Sequence, residues 1–487
     1  MSFYLDPAFF ILLIPIVAVA VVLGVREKPI APWGCVASLA MLALLYSKAL
    51  PSLVFFVCYL VGSIALARWV CKLFNPAEGR EVSPRAVALY RVALAVQIAP
   101  LAVYKVGVVF DPNFLGFLGI SYITFKAVQM LIEIRDGLIC EVKTWRYLYF
   151  LSFFPTFTSG PILRSRPFEA NMTNTLGRDA YLELLLRGAG WFVVGALYKF
   201  VIAPLAQWLM WFGPAAIGTS TGGAFAATQL VYAFAYGLYL FFDFAGYSHM
   251  AMGVGYALGV DVPRNFRAPF CATDIKDFWN RWHISLSSWL RDFVFMRFTQ
   301  FALKRKLFSS TLTCACVAFM INFVLMGMWH GLTVDYLVYG VYHGVLLASC
   351  EAFQKKSKFY KKHRKEGWFH VVSWAVTMVC VFFGFALFSG QVLHPISAYQ
   401  RKEPNMSAPE NLFDQICDLV ADITGEDDIR DEPDIDLFEE DVLDSLTAIE
   451  LLVALESNFG VSIAPTELER EEMNTLNKIV ARTRERM

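Results

Sequence analysis

The sequence predicts an all-α fold, in which a polytopic body of transmembrane helices is followed by a small helix bundle. The chain has 487 residues, of which 57% are hydrophobic, and long apolar runs recur up to about Ser389. Many of these runs approach the ~20 residues that cross a bilayer. After residue 405 the chain becomes polar, acidic and helix-patterned. We therefore expect a membrane domain over 1–390, a proline-containing linker over 391–405 and a helical domain over 406–487.

The membrane domain should contain about 10–12 spans together with re-entrant or interfacial helices. Two short apolar pieces, 147–163 and 244–262, are ambiguous between crossing, re-entrant and interfacial segments. Pro155, Gly160 and Pro161 interrupt the first piece, which therefore predicts either the lining of a cavity or a loop at the interface. The other candidate spans are 8–25, 34–48, 51–70, 86–110, 114–133, 187–212, 224–243, 312–330, 333–351 and 368–389.

Asp243 opens a stretch rich in glycine and other small residues, 243–259. Small residues let helices approach closely, and close packing alone would explain the stretch. An acidic residue within an apolar run is less ordinary, because it usually marks a cavity or pairs with a cation or polar group. Asp243 is therefore a candidate supporting residue of a functional site.

Charge is divided unevenly along the chain, although the formal net charge is zero. From residue 406 onward there are 22 acidic and 6 basic residues, a net charge of −16, and residues 1–405 carry the balancing +16. This division favours electrostatic encounter between body and tail, although cytosolic loops are commonly basic and soluble tails commonly acidic. Nucleic acid is not an expected partner. The ten cysteines are scattered and indicate neither a metal site nor a disulfide framework.

Clusters of basic residues predict how the body is oriented in the membrane. By the positive-inside rule they face the cytosol, which places the N-terminus outside. His283 then lies in a cytosol-side segment, and His330 ends a crossing from inside to outside. The clusters are at 68–91, 135–146, 164–187, 264–306 and 355–365.

The stretch 278–331 holds two of the seven histidines, His283 and His330, among aromatic residues. Each could be a core histidine whose ring nitrogen is satisfied by a backbone carbonyl. As a pair they predict a chamber with one imidazole near each end of a thin barrier. Asn280, Trp282 and Trp329 are candidate supporting residues beside them, whereas His343 is interpreted as structural.

The tail contains Asp444, Ser445 and Leu446 at the start of an apolar-periodic helix. Ser445 lies at or beside the N-cap, where the helix dipole favours an anion such as a phosphodiester. An ordinary N-cap serine would look the same. The run DSLTAIELLVALESNFGV nevertheless resembles acyl and peptidyl carrier proteins, especially those that carry D-alanine, over 407–487. The resemblance implies a 4′-phosphopantetheine on Ser445 that holds D-alanine as a thioester.

The body resembles the membrane-bound O-acyltransferase family over about residues 5–390, and most closely its D-alanine-transferring members. The resemblance implies that His330 matches the catalytic histidine of the family and His283 its second functional histidine. The motifs that carry it are GISYITFKAVQM (119–130), FFPTFTSGPI (153–162), FDFAGYSHMAMGVGYALG (242–259), NFRAPF (265–270), FWNRWHISLSSWLRDF (278–293) and NFVLMGMWHG (322–331).

The two resemblances together imply transfer of D-alanine from the carrier thioester to an acceptor hydroxyl outside the membrane. They also imply the setting, which is D-alanylation of lipoteichoic acid at the cell membrane of a Gram-positive bacterium. The expected partners are the carrier module, a D-alanine–carrier ligase, membrane-anchored proteins of the D-alanylation (Dlt) system, lipoteichoic acid and membrane lipid.

The chemistry of the residues agrees with such a reaction. A thioester is already activated, so the enzyme chiefly needs a base for the acceptor hydroxyl and a fixed geometry. We expect His330 to be that base and His283 to position or polarise the thioester. Asn280 and Trp282 are the candidate oxyanion donors. A pantetheine arm threaded through a narrow tunnel would let the carrier remain docked.

The predicted orientation conflicts with the predicted loading of the carrier. The basic run 355–365 precedes the last span, so the positive-inside rule puts the tail outside, whereas coenzyme A and ATP are cytosolic. Three explanations are open: the span count is off by one, the last segment does not cross, or the carrier that begins at Met406 is normally a separate subunit.

Two alternative functions are carried forward. The first is a polysaccharide O-acetyltransferase of the same family, which would use another acyl donor. The second is a polytopic transporter with a regulatory carrier domain, which predicts paired repeats with discontinuous helices. The sequence shows no internal repeat.

Overall fold

The computed structural model describes 3–74, 83–111, 114–217, 223–393 and, near the C-terminus, 412–424, 430, 432–440, 442–443, 447, 451, 454–455, 458–459, 461 and 473–486. The chain divides into two compact units, Met1–His394 and Pro395–Met487. Most of the predicted linker, together with Met406, lies outside the described residues.

The described residues of the first unit form helices joined by turns and loops, as the sequence predicts. Its N-terminal half contains α1 (Pro7–Val25), α2 (Ala31–Leu45), α3 (Leu50–Leu73), α4 (Pro84–Phe110), α5 (Ile120–Arg135), α6 (Thr144–Ser152), α7 (Ser165–Thr173), α8 (Arg178–Leu197), α9 (Ala203–Ile217) and α10 (Gly223–Ala257). Its C-terminal half contains α11 (Ile275–Trp279), α12 (Ile284–Leu290), α13 (Met296–Lys304), α14 (Thr311–His330), α15 (Val334–Lys356), α16 (Lys358–His363) and α17 (Gly367–Phe388).

Seven helices of the described chain are long and apolar enough to cross a membrane, where the sequence predicted about 10–12 spans. Two differences account for much of the gap. The predicted span 224–243 and the ambiguous piece 244–262 belong largely to the single helix α10, and the predicted spans 34–48 and 114–133 are the shorter helices α2 and α5. The seven are Pro7–Val25, Leu50–Leu73, Pro84–Phe110, Arg178–Met210, Ala227–Ala257, Thr311–His330 and Gly367–Phe388.

Helix α5 is an interior helix, because it is buried on nearly every side between α3, α4, α6 and α7. Several of its buried polar groups have hydrogen-bond partners, although Gln129 Oε1 has none among the described residues. Lys126 Nζ donates to the Phe150 carbonyl at 3.1 Å, and Gln129 Nε2 donates to Ser165 Oγ at 3.2 Å. A buried polar group without such a partner would cost several kcal/mol, on the order of 2–7. Hydrophobicity alone cannot distinguish such a core helix from a span.

The segment 147–163 is broken, as its prolines and glycine predict, and it lies in the interior. Helix α6 ends at Ser152 and the turn Phe154–Thr156 follows it, both buried. Side chains from distant elements satisfy the freed backbone: Ser38 Oγ accepts from Phe154 N at 3.3 Å, and Ser285 Oγ accepts from Ile162 N at 2.8 Å. Such partners are what broken backbone at membrane depth requires. The burial favours an interior lining over an interface loop.

Helices α8 and α10 approach closely through glycines, as the small residues of 243–259 predict. A Cβ on Gly246 would lie 2.8 Å from the backbone nitrogen of Lys199, which leaves no room for a side chain. Lys199 lies in a π-helical turn and donates to Asp243 at 2.5 Å. Of the alternatives that the sequence leaves open for Asp243, the structure therefore shows pairing with a cation, the buried Lys199.

The second unit has a core of its own. Helices α18 (Leu412–Thr424) and α19 (Leu476–Arg486) contribute buried side chains to it. These two helices agree with the runs that the polar tail predicts around 409–424 and 472–485. Asp444, Ser445 and Leu446 lie outside the described residues. The core residues include Leu412, Ile416, Val420, Leu437, Leu455, Leu476 and Ile479.

Candidate active site

His283 lies in a tight turn between α11 and α12. Its backbone is left-handed, with φ 43° and ψ 51°, a conformation that costs a residue other than glycine about 1–2 kcal/mol. The side chain is only 4% exposed, and its Nδ1 has no hydrogen-bond partner among the described residues. A strained and buried imidazole of this kind is typical of a functional site.

Asn265 fixes the turn that follows His283. Its main-chain oxygen accepts from Ile284 N at 2.9 Å, and its side-chain oxygen accepts from Ser285 Oγ at 2.6 Å. Its amide nitrogen donates to Ser248 Oγ on α10 at 3.2 Å. Asn265 is fully buried, so these bonds tie α12 to α10 in an environment where they are hard to replace. Sequence reasoning missed Asn265, although it begins the NFRAPF motif.

His330 is the last residue of α14. Lys105 on α4 donates from Nζ to its main-chain oxygen at 3.0 Å, which satisfies a carbonyl at the helix end. The imidazole lies among aromatic rings, with centroid distances of 4.9 Å to Phe388 and 6.0 Å to Tyr336. Lys105 was not predicted, because nothing in its local sequence links it to a residue so far away.

The indole of Trp329 contacts both imidazoles. Its centroid distance is 6.3 Å to His283 and 4.6 Å to His330. The thin barrier between the histidines stays a prediction. The pKa of His283 is held well below its usual value, chiefly by burial of the ring and to a smaller extent by the nearby His330. The ring is consequently neutral at pH 7 and able to donate or accept a hydrogen bond.

Two of the predicted supporting residues lie elsewhere. Trp282 stacks on Phe278 at 5.5 Å and contacts Phe385 at 4.9 Å. Its ring is linked to that of His283 only indirectly, through Phe266 and Phe244. Asn280 is exposed on the surface. Because an oxyanion donor must point at the reacting carbonyl in a dry site, these positions do not favour either residue in that role. His343 is buried and accepts from Trp279 Nε1 at 3.4 Å, which agrees with a structural histidine.

A groove of about 530 Å³ is formed by α11, α12, α14 and their neighbours. Its rim carries the cationic side chains of Arg267, Lys276 and Arg291 together with Asn280. Its lining includes Met326, which lies four residues before His330 and therefore on the same face of α14. The groove offers cations at its mouth and apolar surface along the helix that ends at His330.

Four buried polar atoms on or beside α12 and α14 have no hydrogen-bond partner within the described chain. They are His283 Nδ1, Trp289 Nε1, Trp329 Nε1 and Asn322 Oδ1, among fourteen such atoms in the described body. Such atoms are rare in proteins and call for an explanation in terms of a ligand or of catalysis. Three of them can donate a hydrogen bond, which fits a flexible substrate rich in carbonyl acceptors. The described residues contain no group of three or more metal-ligating side chains.

Comparison with known proteins agrees with these features. Residues 53–389 match the membrane-bound O-acyltransferase family. The chain belongs to that family. Its C-terminal region, 414–483, matches the phosphopantetheine attachment site. The acyltransferase match contains both His283 and His330, and the second match contains Ser445.

Several relatives of this acyltransferase carry a functional name. It is 36% identical over 404 residues to a teichoic acid D-alanyltransferase of Bacillus subtilis, covering 81% of this chain and 99% of the relative. It is 40% identical to the protein of the same name from Streptococcus thermophilus, covering 60% and 73% of the two chains. A probable alginate O-acetylase of Pseudomonas syringae is 32% identical, over 57% and 49% of the chains.

Proposed function

We propose that this membrane-bound O-acyltransferase transfers D-alanine from a thioester on its own carrier region to an acceptor hydroxyl outside the membrane, for D-alanylation of lipoteichoic acid. One observation carries the proposal: a single chain joins an acyltransferase body, in which two imidazoles contact one indole, to a phosphopantetheine attachment region. The relatives named teichoic acid D-alanyltransferase supply the acyl group and the acceptor class.

His330 is the general base in this proposal. The side chain lies at the end of α14 among aromatic rings, and the Lys105 bond fixes the helix end that carries it. A neutral imidazole can take the proton of an acceptor hydroxyl as that oxygen attacks the acyl carbon. It can then return the proton to the departing sulfur.

His283 positions the thioester. Its ring is neutral and buried, its Nδ1 is unpaired, and Asn265 fixes the backbone on which it stands. It contacts the same indole, that of Trp329, as His330 does, so a carbonyl held beside that indole would be within the reach of both rings. A preorganised donor of this kind can contribute about 10²–10³-fold to the rate.

The phosphopantetheine supplies a long flexible arm that ends in a thiol and carries the acyl group. Arg267, Lys276 and Arg291 at the mouth of the groove would hold its phosphate, since cations recognise phosphodiesters. The apolar wall of α14 and the unpaired indole donors would hold the chain of the arm. The opposite charges of the body and tail, +16 and −16, favour docking of the carrier.

The carrier region faces the cytosol in this proposal, because its loading by a ligase requires coenzyme A chemistry and ATP. The positive-inside count puts it outside, and a carrier that normally acts as a separate subunit would remove the conflict. A cysteine placed in the tail of the protein, and labelled in intact cells or sealed vesicles, distinguishes a cytosolic carrier region from one outside the membrane. A tail that is labelled from the outside contradicts cytosolic loading of the fused chain.

An acetyl transferase is the second candidate, supported by the likeness to the probable alginate O-acetylase. D-alanyl transfer and acetyl transfer are distinguished by expressing the full chain with a phosphopantetheinyl transferase and a D-alanine ligase. The tail is then analysed by mass spectrometry. D-alanyl-phosphopantetheine on Ser445, followed by its His330-dependent discharge to lipoteichoic acid, is the expected result. An unmodified Ser445 would overturn the proposal.

A further inference from the structure

The indole N–H groups of Trp289 and Trp329 are unusual among the described tryptophans of the membrane body. Buried tryptophans normally find an acceptor for this hydrogen. Several other described indoles do so: Trp33 donates to the Ile16 carbonyl at 2.9 Å, Trp279 to His343 at 3.4 Å and Trp374 to the Phe270 carbonyl at 2.8 Å. Within the described residues, Trp289 and Trp329 are buried at Nε1 without an acceptor.

These two unpaired indoles lie together at the paired imidazoles. Both contact the ring of Phe125, with centroid distances of 4.5 Å for Trp289 and 5.5 Å for Trp329. Trp329 also contacts His283 and His330, whereas Trp289 stands on α12, six residues beyond His283. A series of ring contacts therefore leads outward from the reacting groups, from His330 to Trp329, then to Phe125 and finally to Trp289.

We propose that Trp329 donates its N–H to the carbonyl oxygen of the acyl thioester and that Trp289 donates to an amide carbonyl farther along the pantetheine arm. This inference rests on the proposed function, because it assigns donors to the substrate of that same site. It replaces Asn280 and Trp282, whose positions do not suit the role, with two donors that lack any protein acceptor.

The chemistry requires a donor at the position of Trp329. When the acceptor oxygen bonds to the acyl carbon, negative charge develops on the carbonyl oxygen, while the hydroxyl proton moves to His330. The carbon–sulfur bond then breaks and the sulfur leaves with that proton, so the products are an ester and a free thiol. An indole N–H already in place stabilises this charge without reorganisation, and an indole carries no charge that would be costly to bury.

The test combines protein variants that lack an indole N–H with ligands that lack the thioester carbonyl. The ligands are a D-alanyl-pantetheine ketone, in which methylene replaces the sulfur, and its analogue in which methylene also replaces the thioester carbonyl. Both are titrated against the full chain in detergent, carrying Ser445→Ala so that no arm of its own competes. The proteins compared are the parent, Trp329→Phe, Trp289→Phe and, as matched control, Trp33→Phe.

We expect the parent and Trp33→Phe to prefer the ketone by roughly 3- to 10-fold, the range of one hydrogen bond. Trp329→Phe should lose this preference and bind both ligands alike. Trp289→Phe should bind both ligands several-fold more weakly but keep the preference between them. In transfer assays of the chain with Ser445 intact, Trp329→Phe should lower kcat about 100-fold, whereas Trp289→Phe should chiefly raise KM.

A ketone preference that survives Trp329→Phe would overturn the assignment of Trp329, and unchanged affinity in Trp289→Phe would overturn that of Trp289. If either variant fails to fold, benzothienylalanine incorporated at the same position replaces the N–H with sulfur and keeps the shape of the ring. The two ligands are also made with an acetyl group. A carbonyl preference found with acetyl and absent with D-alanyl would contradict the proposed function and still support the indole donors.

Discussion

Lys105 Nζ lies 3.0 Å from the main-chain oxygen of His330, although 225 positions separate the two residues in the sequence. The bond joins α4 to the C-terminal end of α14, where carbonyls lack helical partners and a cation is favoured by the helix dipole. It therefore fixes the backbone that carries the proposed base.

Replacing Lys105 by methionine should lower the transfer rate roughly 10-fold or more, because loss of a charge-assisted bond is worth about 1.5–3 kcal/mol and the base becomes less well placed. The effect should fall on kcat, with KM little changed. Lys105→Arg should retain part of the rate. The exposed Lys143, changed to methionine, is the matched control. A wild-type kcat in Lys105→Met would show that the bond does not position His330.

Asn265→Ala should destabilise the body by about 1–3 kcal/mol, because it removes the acceptor of the buried Ser285 hydroxyl hydrogen and the donor to the buried Ser248 hydroxyl oxygen. It should also reduce transfer beyond this loss of stability, since the turn that carries His283 is no longer fixed. The exposed Asn174→Ala serves as control. Thermal denaturation in detergent measures the first effect, and kcat of the remaining folded protein measures the second. A stable variant with full activity would contradict this function for Asn265.

His283 should make the body sensitive to acid. Its pKa is lowered in the folded protein by burial and then by His330, so below about pH 6.5 the unfolded chain takes up a proton that the folded chain does not. The free energy of unfolding should fall by up to about 1.4 kcal/mol per pH unit on acidification. His283→Asn, which tolerates the left-handed backbone, should flatten this dependence between pH 7 and 5. Identical melting curves for the two proteins at both pH values would contradict it.

The ion pair of Lys199 and Asp243 makes a prediction about stability alone. Asp243→Asn leaves the nearly buried ammonium of Lys199 without its counter-charge, which should cost about 3 kcal/mol. The double change Lys199→Met with Asp243→Leu removes both charges and should recover most of the loss. Melting temperatures in one detergent compare the three proteins. If the single variant were as stable as wild type, the pair would be solvated rather than buried.

The sequence predicted what depends on local pattern. The all-helical class, the break at Pro155 and Pro161 and the close approach around Gly246 all follow from side-chain types and their spacing. The sequence predicted a cation as one possible kind of partner for Asp243. It did not identify Lys199, because the pairing depends on how α8 and α10 face each other.

What the sequence could not predict depends on contacts between distant segments. Helix α5 has the hydrophobicity of a span but is surrounded by protein, and only the packing of its neighbours shows this. Asn265 and Lys105 act through bonds to residues far along the chain. Trp282 was a candidate donor because it adjoins His283, yet its ring stacks on Phe278. The DSL motif itself lies outside the described residues and rests on the family match.

The most direct test of the account uses the full chain in sealed vesicles, with D-alanine loaded on Ser445 from the carrier side and lipoteichoic acid on the opposite side. Wild type should discharge the carrier and esterify the acceptor, while His330→Ala should keep a loaded Ser445 and transfer at least about 100-fold more slowly. Discharge to the acceptor at the wild-type rate by His330→Ala would contradict the central claim.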